Sequence, residues 1–147
     1  MINNKYIYLI VPFAAIITAQ VIKFIIESIR TRKIRWGRLF NGCGGMPSTH
    51  TAFTFSLVSL IGFKDGMTSS SFAIALVFAL IVAYDAMGLR MESGNQAVAI
   101  NRILNEIFSD KAKEGVRHLK EELGHKPFEV VMGMVLGLAI SIIFLVI

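Results

Sequence analysis

Gly44-Gly45-Met46-Pro47-Ser48-Thr49-His50 is the stretch on which the reading of this chain turns. Its glycines let a backbone approach a ligand closely. Pro47 suits the first position of a helix, and Ser48 or Thr49 can cap it. The free N–H groups at such a helix start attract anions. His50 adds a side chain that gains and loses a proton near neutrality. Arg30, Arg32, Lys33, Arg35 and Arg38 precede the stretch. Together these features read as a phosphate site. The plainer reading is a loop-to-helix cap behind a basic loop.

Outward from this stretch the chain is apolar. It has 147 residues, 54% of them hydrophobic, and a mean hydropathy of +0.64, above that of ordinary soluble domains. The length fits one domain, residues 1–147. The net charge is +5 and the pI about 9.6. With such apolar runs, that positive charge points to a membrane surface rather than nucleic acid. Cys43 is the one cysteine, so no internal disulfide forms.

Four apolar segments are expected to span: Tyr6 to Ile29, Ser48 to Phe63, Phe72 to Leu89 and Phe128 to Ile147. The first begins like a signal peptide. Its apolar pattern continues past Gln20 to Ile26, which argues against cleavage at Ala19. Ile100, Ile103, Leu104, Ile107 and Phe108 fall at helical spacing opposite polar residues and predict an amphipathic helix. Val116, Leu119 and Leu123 mark a weaker second one. Both are expected on the membrane surface or over the bundle. The fold class is all-α: a polytopic helix bundle of about four spans with two interfacial helices. Gly133 and Gly137 form a Gly-x-x-x-Gly face suited to close helix packing or to a homo-oligomer.

Residues 30–47 carry five basic and no acidic residues. The positive-inside rule then puts this loop in the cytoplasm and both chain ends outside, in a plasma membrane. The same topology brings His50, Asp85, Arg90, His125 and Glu129 to one membrane face.

His125 and Glu129 stand four apart, a spacing at which a carboxylate reaches an imidazole. A carboxylate so placed fixes the ring's tautomer and stabilises its charge. The alternative is a capping arrangement around Pro127. Two histidines at one face allow attack on phosphorus by one and protonation of the leaving oxygen by the other. Asp85 lies in an apolar span, where a charge is costly and usually functional. It is expected to pair with Arg90 or to orient a histidine. Lys23 either snorkels to the interface or points into the site.

Four stretches carry a resemblance: Gly44 to His50, Tyr84-Asp85-Ala86-Met87-Gly88-Leu89-Arg90, Gly94-Asn95-Gln96-Ala97, and Leu119 to Val130. Together they resemble the divergent branch of the type 2 phosphatidic acid phosphatase family. That family is related to acid phosphatases and vanadium haloperoxidases. The resemblance implies a lipid phosphate substrate and metal-independent, cofactor-free hydrolysis through a phosphohistidine. Its Pro-Ser-Gly-His motif matches Pro47, Ser48 and His50, with Thr49 for glycine, and implies that His50 is the general acid. Its last motif implies that His125 is the nucleophile and Glu129, in place of aspartate, its orienting group. His118 and Leu119 occupy the Ser-Arg positions, so Lys120 or Arg90 is the substitute phosphate ligand. Lys23 and Arg30 have the spacing of the first motif, with Thr31 for proline, and Arg38 competes. Gly45, Ser48 and Thr49 complete the implied phosphate-binding set. Two other readings stand beside this one. One is a non-catalytic lipid-phosphate binder that keeps the pocket. The other is a metal site of His50, His125, Asp85 and Glu129.

Overall fold

The computed structural model describes residues 6–34, 36, 45–107, 118–119 and 124–147. Among them are five helices: α1 (Ile7–Thr31), α2 (Thr49–Lys64), α3 (Ser70–Met87), α4 (Leu89–Ile107) and α5 (Pro127–Val146). The described residues contain no strand. Three helical stretches are long and apolar enough to cross a membrane: Ile7–Thr31, Ser70–Glu106 and Pro127–Val146. The 16-residue α2 extends about 24 Å at 1.5 Å per residue, short of a hydrocarbon core of about 30 Å. The four expected spans are therefore three of full length and one short central helix.

That short helix is the hub. α1, α3 and α5 all pack on α2, and α4 packs on α3. Lipid tails are as apolar as side chains, so close packing rather than water exclusion holds such helices together. The residues between them are correspondingly small. Ala15, Ala19 and Ala52 make one buried cluster, and Ala83 and Ala86 meet Val130 in another. Large apolar side chains such as Phe13, Ile17, Ile74 and Val135 are exposed at the outside of the bundle, as a lipid-facing surface requires.

α5 comes nearest to α2 through its glycines. A Cβ on Gly133 would lie 2.5 Å from the Ser48 carbonyl oxygen. One on Gly137 would lie 2.6 Å from that of Ala52. The Gly-x-x-x-Gly face is thus filled by α2 of the same chain. One turn on, Ser141 Oγ donates to Ser56 O at 2.6 Å; such interhelical bonds contribute about 0.6–2 kcal/mol.

The helix starts depart from expectation in one place. Pro47 is not the first helical residue. Ser48 is the cap, its Oγ accepting from Thr51 N–H at 3.4 Å, and Pro47 stands before it. Pro127, in contrast, does open α5. At the far end of the bundle Tyr8 donates to Asp65 Oδ1, tying α1 to the α2–α3 turn. Ile7 and Val11 there pack with Leu60 and with Phe144 and Leu145, so the start of α1 meets the end of α5.

α4 covers the first expected amphipathic helix but begins earlier, at Leu89. Gly94, Ala97 and Asn101 are buried along one side of it, while Ile100 and Ile103 are exposed. Ile100 and Ile103 therefore face outward. Of the second expected amphipathic helix only Leu119 is among the described residues, and it is not helical; Val116 and Leu123 lie outside them.

Candidate active site

Four chain segments converge at one end of the bundle: the last turns of α1, the start of α2, the α3–α4 junction and the start of α5. Backbone hydrogen bonds tie the last three to one another. Ser48 N–H donates to Glu129 O at 2.9 Å, joining α2 to α5. His125 N–H donates to Ala86 O at 2.9 Å, joining the approach to α5 to the end of α3. Gly124, at φ +90°, lies so close to α4 that a Cβ would sit 2.6 Å from Met91 N. Upstream, the buried Asn101 side chain grips Leu119: its amide donates to Leu119 O and its oxygen accepts from Leu119 N–H, both at 2.9 Å. His125 is therefore held through its own backbone N–H and beside a closely packed Gly124.

Glu129 serves two of the expected purposes at once. Its Oε2 lies 2.9 Å from His125 Nδ1. The same oxygen accepts from Lys126 N–H at 3.3 Å and so caps α5. With an ionised carboxylate at Nδ1, that nitrogen carries the proton and donates it. Nε2 is left with its lone pair. His125 is buried, and burial pushes its imidazole below the ordinary histidine value of 6.5. The hydrogen bond and charge of Glu129 push back, while the charges of Lys23 and Arg90 push further down. A neutral ring, oriented and near cationic side chains, is the form in which histidine attacks an electrophile.

The His50 ring lies 6.4 Å from that of His125, centre to centre, and nearly edge-on. One bound group can touch both rings. His50 is exposed, unlike its neighbours Ser48 and Thr49, which are buried in the helix start. Ser48 Oγ is engaged there as an acceptor from Thr51 Oγ1 at 2.9 Å, so its side chain braces the helix start.

Asp85 and Arg90 form an ion pair, Oδ2 to Nε, at 2.8 Å. Of the two expected roles, the carboxylate takes the arginine partner and orients no histidine. Both side chains are substantially exposed, so the pair adds little stability; its effect is to aim the guanidinium. Lys23 is buried rather than snorkelling. With Glu27, Arg30, Gly45 and Glu129 it borders a recess of about 250 Å³. His50 and Arg90 stand at a larger cavity of about 550 Å³. Arg38 and Lys120 lie outside the described residues. His118 and Leu119 are exposed. Among the described residues no three histidine, cysteine, aspartate or glutamate side chains cluster as a metal site would require.

Among the lining residues that went unread in the sequence is Gln20. Gln20 borders the larger cavity, though in the chain it only interrupts an apolar run. The available signal was spacing: Gln20, Lys23, Glu27 and Arg30 recur at three and four residues, one face of a helix.

Comparison with known proteins supplies a family. The family described as "Divergent PAP2 family" matches residues 3–140. An uncharacterized membrane protein, YuiD, from Bacillus subtilis (strain 168) is 39% identical over 145 residues, covering 92% of this chain and 91% of that protein. No solved structure matches. An all-helical chain with spanning helices, matched over nearly its whole length, belongs to the Divergent PAP2 family of membrane proteins.

Proposed function

We propose that this chain is a membrane-embedded phosphatase that hydrolyses a lipid phosphate or diphosphate through a phosphohistidine. The observation that carries the reading is the buried His125 held at Nδ1 by Glu129, with His50 beside it.

The steps follow from that geometry. His125 Nε2 attacks phosphorus, and the bond from phosphorus to the lipid oxygen breaks. His50 delivers a proton to the departing oxygen. Lys23, Arg30 and Arg90 offset the charge on the phosphoryl oxygens as it redistributes. Water then gives a proton to His50 and attacks the phosphohistidine. Inorganic phosphate leaves and both histidines return to their starting states. The basic loop of residues 30–47 supports a cytoplasmic site in the plasma membrane, with both ends outside.

The competing reading is a lipid-phosphate binder without turnover. It is favoured by Leu119, which stands exposed where the resemblance implies an arginine. Purified protein in lipid nanodiscs, assayed for phosphate release from a panel of lipid phosphates and diphosphates, separates the two. Release that persists in a chelator supports the phosphatase. Tight binding with no release on any member supports the binder.

A further inference from the structure

Among the described residues α1 and α3 both pack on α2 but not on each other. The cavity of about 550 Å³ occupies the gap between them. Phe53 lines its floor, Phe78 and Val82 one wall, and Gln20 the opposite wall, while His50 and Arg90 stand at its polar end. Such a gap receives the lipid part of a phosphate held at the histidines.

Gln20 does not match these apolar surroundings. Its Oε1 is buried and has no hydrogen-bond partner. A buried acceptor left unpaired costs about 1–3 kcal/mol, and native proteins rarely retain one without a use. Its position along α1 indicates the use. Gln20 precedes Lys23 by three residues, about 4.5 Å along the helix axis. Lys23 borders the same recess as Glu129, at the level of the phosphoryl site. The Gln20 amide therefore sits about one helical turn further into the membrane than the phosphorus. In a phosphate ester, a heteroatom on the second carbon of the alcohol reaches about that depth.

Building on the lipid-phosphate reading of this site, we propose that Gln20 is a specificity residue and that the ligand carries a hydrogen-bond donor, a hydroxyl or N–H, on the carbon β to its phosphate ester oxygen. Swinging its amide toward the cavity pairs the carbonyl oxygen with that donor. The preferred ligands are phosphates of β-hydroxy or β-amino lipids. Polyprenyl phosphates have no such donor and are disfavoured.

The test uses chain-matched, non-hydrolysable lipid phosphonates with and without the β-hydroxyl, binding to the full chain in nanodiscs. One neutral hydrogen bond, at about 0.5–1.5 kcal/mol, gives a preference of about two- to tenfold. Wild type should show that preference, and Gln20→Leu should lose it by weakening only the hydroxylated ligand. Gln20→Leu should fold, because it replaces an unpartnered amide with an apolar side chain of similar size. Equal affinities in wild type, as expected if Gln20 meets only water, overturn the proposal. So does a preference that survives in Gln20→Leu, or no binding of either phosphonate. Phosphate release from the matching esters is measured in the same nanodiscs. Preference without release removes the phosphatase and leaves the specificity; release without preference does the reverse.

Discussion

Replacing Gly133 with alanine tests how the bundle builds the site. The added Cβ would sit 2.5 Å from Ser48 O and 3.0 Å from Thr51 Cβ. Ser48 O cannot yield freely, because it accepts the helical bond from Ala52 N–H at 3.0 Å. The Ser48 N–H is likewise committed to Glu129 O. The start of α5 must therefore back away from α2. Overpacking of this kind costs about 1–3 kcal/mol, which lowers Tm by about 3–10 °C in a chain of this size. The displaced residues include Glu129, which orients His125. A misplacement of about 1 Å can cost up to about 10²-fold in rate. Gly137→Ala meets Ala52 O at 2.6 Å but lies one turn further from Glu129, so it should lose stability with a smaller loss of rate. Val135→Ala, on the lipid-facing side, is the control. Thermal unfolding and phosphate release in the same detergent provide the readouts. If Gly133→Ala melts with wild type and keeps full turnover, α5 does not approach α2 as described.

Three further outcomes are expected. Protonated His125 has no lone pair to attack with, and its pKa is held below 6.5. The acid limb of kcat/KM should therefore fall below pH 6.5; an assay series from pH 4 to 8 measures it. Glu129 raises the His125 pKa, so Glu129→Gln should lower the rate and move that limb to still lower pH; a limb moving upward contradicts the pairing. His50→Ala should slow release of a lipid alkoxide by about 10²–10⁴-fold but affect a nitrophenyl phosphate less, because nitrophenolate departs with little proton help. Equal losses on both substrates would exclude His50 as the acid.

Much of the fold was legible because apolar runs of spanning length have few alternatives. α1, α3 and α5 lie within a few residues of where hydropathy places them. α2 ends at Lys64 and α3 begins at Ser70, each within two residues of its expected bound. What the pattern does not encode is partner choice. Gly133 and Gly137 announce a close approach, but only the packed chain shows that α2 fills it. Pro47 misleads locally because Ser48 is the better cap, its hydroxyl meeting Thr51 N–H.

The site divides in the same way. His50, His125 and Glu129 could be named from spacing and resemblance, since side-chain identity carries their chemistry. The braces could not. Ser48 N–H to Glu129 O and His125 N–H to Ala86 O are backbone bonds that any donor residue but proline would make. Asn101 reads as the polar side of an amphipathic helix, yet it is buried and clasps Leu119. Gln20 reads as a blemish in a span until a cavity appears beside it.

The central claim is that His125 takes the phosphoryl group. Its most direct test is rapid alkaline quenching of wild type, His125→Ala and His50→Ala during turnover of a phosphorus-labelled lipid phosphate, followed by peptide mapping. The account predicts label on His125 in wild type, none in His125→Ala, and label formed more slowly in His50→Ala. Turnover with no label on His125, or turnover undiminished in His125→Ala, would contradict it.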